Sequence, residues 1–261
     1  MPDCFLSADN TTENDYVLIG KYEGSGTTSK CYSKSGANCL VSLTRAQART
    51  ACRSYGTVSN NYNGYQQLDL TIYVLYNMLC MMYYRTANIQ TVYAGITSAS
   101  SAQATGSCDG VSGLNGWNTS TGCVKMLGVE NPYGNISKWV DGIYFSSATI
   151  YVFRQPIQYA DSTSGAISLG FSRPSSRGYV AQLKVGSTTQ NRSYAYCSST
   201  SGGSTTTYYG DYCYYSSSGV ILFVGGYWGS GAAAGLWLLA GDNRASLADS
   251  GIGCRLCRRP S

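Results

Sequence analysis

Residues 68–86 read Leu-Asp-Leu-Thr-Ile-Tyr-Val-Leu-Tyr-Asn-Met-Leu-Cys-Met-Met-Tyr-Tyr-Arg-Thr. No other stretch of the chain is as apolar, and neither Gly nor Pro interrupts it. Its apolar residues run nearly all the way round a 3.6-residue period, which predicts a central core helix rather than an amphipathic surface helix. The length approaches that of a membrane span. Asp69, Thr71, Asn77 and the tyrosines at 73, 76, 83 and 84 argue for a helix buried in protein, so no membrane insertion is expected. Outward from this stretch, Thr44 is placed to cap a shorter helix over Arg45–Tyr55, with Gly56 as its stop. Tyr16–Tyr22 reads as a strand and Gly24–Asn38 as a Gly/Ser/Thr loop. Beyond Val92 the chain becomes short strand-like runs, among them Ile143–Phe153, Tyr179–Val185 and Val220–Val224. Turn signals separate them at Cys108–Gly116, Ser162–Gly165, Ser172–Gly178 and Ser198–Gly203. Two early helices followed by a long irregular β remainder give an α+β fold class. No internal repeat and no linker divides the chain, so a single domain over 16–261 is expected after a polar, flexible stretch at 1–15.

Composition narrows the chemistry. Of 261 residues only 12% are charged, about half the usual share, while Tyr (24) and Gly (31) are over-used. His is absent, which excludes an imidazole general base, His-ligated metals and His-containing triads. The net charge of +5 is spread thinly; Arg255, Arg258 and Arg259 are its one cluster, and no basic stripe suggests nucleic acid. Eleven cysteines, an odd number in a chain of this length, do not resemble a small secreted disulfide framework. Cys80 reads as a core residue. Cys108/Cys123 and Cys197/Cys213 each bracket a polar loop and fit either a local disulfide or two free thiols. Cys254-Arg-Leu-Cys257 has metal or redox spacing, but without a second such pair or any His, zinc is not expected and strand residues are the simpler reading. The Met-Pro-Asp-Cys-Phe start lacks a basic region followed by an apolar run, which predicts synthesis without an export signal.

Three segments together resemble a known family. The first runs from the apolar helix (Leu68-Asp69-Leu70-Thr71-Ile72-Tyr73) into Ile89-Gln90-Thr91-Val92-Tyr93-Ala94-Gly95. The second is Gly128-Val129-Glu130-Asn131-Pro132-Tyr133-Gly134-Asn135-Ile136-Ser137-Lys138-Trp139-Val140-Asp141-Gly142. The third comprises Gly225-Gly226-Tyr227-Trp228, Gly231, Ala234-Gly235-Leu236-Trp237 and Ile252-Gly253-Cys254-Arg255-Leu256. In order and spacing they look like the variable proteins of diversity-generating retroelements. Ile19-Gly20-Lys21-Tyr22 and Thr44-Arg45-Ala46-Gln47-Ala48-Arg49 extend the likeness toward the N-terminus. The resemblance implies a C-type-lectin fold of the branch shared with formylglycine-generating enzymes: two helices packed on twisted antiparallel sheets with long loops. It implies a hypervariable ligand- or receptor-binding protein whose 225–261 region is rewritten by error-prone copying at adenines. It further implies display on a phage virion tail, with a bacterial cell surface as the alternative, and a host-surface protein or glycan as ligand. A homotrimer would suit a tail fibre.

That mechanism leaves a trace that can be read in the residues. Changing the first two bases of an Asn codon cannot yield Lys, Glu, Gln, Met or Trp, and Lys, Glu, Gln and Met are all absent from Gly225–Ser261. Matching to the family pattern places the variable, ligand-binding positions at Tyr227, Gly229, Ser230, Ala233, Leu238, Ala240, Asp242, Arg244, Leu247, Asp249 and Gly251, expected to share one solvent-facing surface. Trp228 and Trp237 cannot arise this way and are expected as scaffold, with Trp139, Leu236, Leu239, Ile252 and Arg255. Tyr208–Tyr215 is either a second contact site or an exposed edge strand. Tyr with Ser, Asn and Gly is the composition of an adaptable binding surface. Two other readings compete. An oxidase of the same fold branch holds copper with two Cys soon after a Gly-Gly-Ser type motif; here no Cys follows Gly225-Gly226 until Cys254, so no catalytic residue and no enzyme activity are expected. A calcium-dependent carbohydrate-binding lectin is suggested by Glu130-Asn131-Pro132, but Pro132, Gly134 and Asn135 read as a structural turn and acidic residues are few. No metal or cofactor is expected.

Overall fold

The computed structural model describes residues 2–7, 11–56, 64–200 and 202–259. Helix α1 spans Arg45–Arg53, and its start is fixed by a reciprocal cap. Thr44 Oγ1 accepts from the Gln47 N–H while Gln47 Oε1 accepts from the Thr44 N–H, satisfying two donors that a helix start leaves unpaired. Helix α2 spans Leu70–Tyr84, capped by Asp69 through the Ile72 N–H and closed by Arg85 at φ 57°. It is shorter at both ends than the 68–86 pattern. Leu68 is spent on sheet-like pairing instead: its N–H donates to Arg255 O and its carbonyl accepts from Asp141.

The apolar pattern of α2 translates into burial along most of its length. Leu70, Ile72, Tyr73, Val74, Tyr76 and Cys80 enter the main core with Val140, Phe145, Val152, Leu222, Val224 and Trp237. The far end emerges, leaving Leu79, Met82 and Tyr83 exposed. A second cluster gathers Ala48, Ala51 and Cys52 of α1 with Cys31, Leu43, Trp139, Ile252 and Cys254. Among the described residues no helix is long and apolar enough to cross a membrane.

A six-stranded mixed sheet carries the region of interest, in the order Gly178–Tyr179, Tyr212–Tyr215, Leu239–Asn243, Ile221–Val224, Ser137–Val140, Ile252–Gly253. Two of its pairings are parallel: Tyr212–Tyr215 with Leu239–Asn243, and Ile252–Gly253 with Ser137–Val140. A three-stranded antiparallel sheet joins the two ends of the chain, with Leu18–Ile19 and Tyr65–Gln67 flanking Leu256–Arg258. The architecture is thus mixed α+β, two helices with many short strands.

Several expectations need correction. The Gly24–Asn38 segment is not all loop: Gly24–Thr27 and Lys30–Ser33 form a hairpin. Its Gly/Ser/Thr composition hides the inward-facing Ser25 and Cys31, both buried, and Gly26 sits at φ 112° with Lys30 O 2.4 Å from where a Cβ would stand, so only glycine fits. The strand over Tyr16–Tyr22 contracts to Leu18–Ile19, and the continuation is carried by single bonds such as Gly20 N–H to Leu256 O. It pairs with Leu256–Arg258. Ile143–Phe153 folds back at Ser147 (φ 54°) into two strands. The flexible 1–15 segment is in part locked down: Cys4 is fully buried, the Asp3 carbonyl accepts from Arg259, and the Asp3 carboxylate accepts from Tyr194 and Arg154. Residues 8–10 lie outside the described residues. Tyr212–Tyr215 is an interior strand, not an edge.

Candidate functional site

The site grows from a backbone reversal. After Ile221–Val224, Gly225 and Gly226 take φ 86° and 76°, a conformation that side chains disfavour. A Cβ at Gly226 would stand 2.9 Å from Ala234 Cβ and 3.0 Å from both Leu238 Cδ1 and Ser230 Oγ. The pair therefore lets the chain turn sharply and pack on its own return. The loop is pinned by Tyr227 N–H to Ser230 Oγ, Trp228 N–H to Asn135 O and a single 3₁₀ turn over Gly231–Ala233.

Beneath it lies a rigid base. Trp237 is fully buried, its backbone N–H donating to Asp211 Oδ2 at 2.7 Å and its ring packed edge-on against Tyr73 and Tyr209. Burial holds the Asp211 carboxyl well above its ordinary range, and Asp211 Oδ1 has no hydrogen-bond partner among the described residues. Trp139 donates its indole N–H to Leu43 O and meets Phe223 edge-on. The Arg255 guanidinium donates to the carbonyls of Gly20, Lys21, Glu130 and Asn131, fastening the C-terminal segment to two distant loops. Lys138 and Glu23 form a buried ion pair at 2.8 Å; burial pulls the Lys138 ammonium below its ordinary value against the opposing pull of Glu23. Asn135 Nδ2 and Ile136 N–H also donate to Glu23, and Lys138 to Gly134 O.

Above this base an open cavity of ≈ 300 Å³ brings together Tyr227, Ser230, Leu238 and Asp242 with Tyr214 and Phe223. Its walls are aromatic rings over a leucine floor, with a hydroxyl and a carboxylate at the margin. Asp242 is itself paired with the exposed Arg177 at 3.0 Å and accepts from Asn243 Nδ2. Such a surface suits a flat apolar or amphipathic group that carries a hydrogen-bond donor. A second cavity of ≈ 390 Å³ is bordered by Asn38, Cys39, Gln103 and Trp228. Tyr227 borders the first cavity and Trp228 the second, and the two rings meet edge-on with centroids 5.1 Å apart.

The candidate positions divide. Tyr227, Gly229, Arg244 and Asp249 are exposed; Ser230, Ala233, Asp242 and Leu247 are half-buried. Leu238 and Ala240 are each 1% exposed, and Gly251 is buried too, contrary to a shared solvent-facing surface. Ala240 has strands on both sides, opposite Tyr214 and Phe223; Leu238 is the cavity floor; Gly251 lies under the Tyr227 ring. Of the candidates, Tyr227, Ser230, Leu238 and Asp242 line this cavity, while Arg244, Leu247 and Asp249 do not. The scaffold expectation fits the burial of Trp139, Trp237 and Arg255. Trp228 is only half-buried, packed on Ile96, Cys108 and Cys123. Tyr214 belongs to the Tyr208–Tyr215 stretch weighed as a second contact site, whereas Phe223 went unrecognised, because only strand pairing brings it beside Leu239–Asn243.

Other side chains of interest are already engaged. The Glu130 carboxylate accepts from the Gly106 and Cys108 N–H groups and Asn131 Oδ1 from Val124 N–H, so the Glu130-Asn131-Pro132 stretch is a loop clasp. Asp141 is buried and ion-paired with Arg49 at 2.6 Å; burial pushes its carboxyl up, and Arg49 and Arg45 outweigh that and hold it below its ordinary value. All eleven cysteines are free thiols. Cys254 and Cys257 face different cores and do not form a pair. Cys254 meets Cys31 instead, at 3.6 Å across 223 residues of sequence, with Cys52 beside them. Among known proteins, the chain matches no family model and no curated sequence.

Proposed function

We propose that this protein is a binder without catalytic function, a hypervariable C-type-lectin-fold protein diversified by a retroelement and carried on a phage tail to contact a host-surface protein or glycan. The observation that carries the reading is the aromatic cavity, where Tyr227, Ser230, Leu238 and Asp242 converge although they were selected by codon logic and motif order alone. Two further features support it. The Gly-rich 225–251 segment is held over a base of buried Trp139, Trp237 and Arg255, and the two ends of the chain close onto one small sheet. Burial revises the contact set: Leu238, Ala240 and Gly251 shape and support the face, and Tyr227, Ser230 and Asp242, aided by Tyr214, meet the ligand. Trimeric display would add avidity to modest single-site binding.

Two experiments test this. The source genome should hold, beside a reverse transcriptase, a near-copy of the codons for Gly225–Arg255 that differs where the copy has adenine; its absence removes diversification from the reading. Separately, Tyr227→Ala and Tyr214→Ala should weaken binding to host cells or a glycan panel by tenfold or more while the Tm of each variant stays within a few degrees. Undiminished binding by both variants would place the contact surface elsewhere.

A further inference from the structure

We propose that Cys31, Cys52 and Cys254 form a three-sulfur site for a soft monovalent metal ion, Cu(I). Each thiol comes from a different element: the Lys30–Ser33 strand, helix α1, and the link between Ile252–Gly253 and Leu256–Arg258. Cys31 Sγ and Cys254 Sγ are 3.6 Å apart, and all three sulfurs lie within 4.8 Å of one another. Sulfurs about 2.3 Å from a shared ion stand about 4.0 Å apart in a planar trigonal site and about 3.8 Å apart in a tetrahedral one. The Cys31–Cys254 spacing is close to that of two sulfurs on one ion, and Cys52 lies within 4.8 Å of both.

The surroundings favour low coordination. All three cysteines are 0% exposed, and their neighbours are Leu43, Ala48, Ala51, Trp139 and Ile252, none of which offers a side-chain ligand. Among the described residues, no fourth His, Cys, Asp or Glu joins the group. The Gly24 backbone presses on it from one side: a Cβ there would stand 2.7 Å from Cys254 Sγ and 2.9 Å from Cys31 Sγ. Structural zinc requires four ligands, whereas thiolate-only sites select soft ions such as Cu(I). Binding is ligand exchange with no redox step. The ion replaces thiol protons, which leave to solvent; with two sulfurs ionised the site carries one negative charge.

The test uses the reduced full-length chain under nitrogen, titrated with Cu(I) delivered from its bicinchoninate complex, and in parallel with Zn(II) against a zinc chelator. One Cu(I) per chain should resist the chelator, with three sulfur scatterers in X-ray absorption. Cys31→Ser and Cys52→Ser should each lower the affinity at least tenfold, while Cys80→Ser and Cys257→Ser, buried thiols outside the cluster, leave it unchanged. Copper held equally well by Cys52→Ser, a two-sulfur signal, or retention of Zn(II) in preference to Cu(I) would overturn the assignment. If the cluster variants do not fold, the sulfur count on the unaltered protein decides the matter alone, since no other three-thiol group exists among the described residues.

Discussion

Truncating Leu238 and Arg244 in parallel separates the parts that the candidate face plays. Both residue types are reachable from an Asn codon, and both were expected to tolerate replacement. The structure distinguishes them: Leu238 is 1% exposed and packs on Gly226, while Arg244 is exposed. Leu→Ala in a core costs about 2–5 kcal/mol, the larger figures belonging to sealed voids. Here the lost atoms enlarge a cavity already open to water, so the cost falls in the lower part of the range, about 2–3 kcal/mol. At roughly 2–4 °C per kcal/mol for a chain of this size, Leu238→Ala should lower Tm by about 5–10 °C. Arg244→Ala should stay within about 0.5 kcal/mol, or about 2 °C. Differential scanning calorimetry, with urea unfolding as a check, measures both. Equal losses would refute the assignment of Leu238 as the floor and restore it to the freely variable surface.

Three other perturbations test the base. Lys138→Met strands the Glu23 carboxylate in the interior and should cost about 3–5 kcal/mol in urea unfolding, whereas pairing it with Glu23→Gln should recover most of that loss; additive effects would contradict the buried pair. Burial raises the Asp211 carboxyl well above its ordinary value of 3.8 in the folded chain, so the unfolded chain ionises first and this group subtracts stability as pH rises past that value. Asp211→Asn should therefore stabilise by an amount that grows from pH 4 to pH 7, and a pH-independent effect would count against that. Trp237→Ala should cost about 3–5 kcal/mol as a core truncation, with Trp228→Ala losing clearly less by calorimetry because its ring is half solvated; the reverse order would discredit the described packing.

What could be read from the residues and what could not follow a physical division. The Thr44–Gln47 cap and the apolar run into α2 are local signals, with each residue informing on its neighbours a turn away. Trp237 could be named as scaffold because changes at an Asn codon cannot give Trp, and Trp139 and Arg255 because they stand in the motifs that carry the resemblance. The hairpin over Gly24–Ser33 was illegible because its strands are made of residues that usually form loops, and only pairing and the burial of Cys31 make them strands. Leu238 and Ala240 were misplaced for a related reason. Codon reachability says which residue types can occur, but strand pairing decides which way they point, and Tyr214 and Phe223 enclose Ala240 from both sides. The cavity and the cysteine cluster arise from contacts between distant segments, and no short-range pattern encodes either.

The antiparallel pairing of Leu18–Ile19 with Leu256–Arg258 has a mechanical consequence. In the register Leu18↔Arg258, Ile19↔Cys257, the chain enters and leaves this ribbon from the same end. Once the Asp3–Arg259 contact has given way, tension between the two ends would peel the strands apart one hydrogen bond at a time, the weak direction for a β ribbon. Tension between one end and a ligand seated near Tyr227 would travel instead through Arg255 and its four carbonyl acceptors, which are loaded together. A module tethered at one end and gripped at its face would hold where one pulled by both ends would unzip.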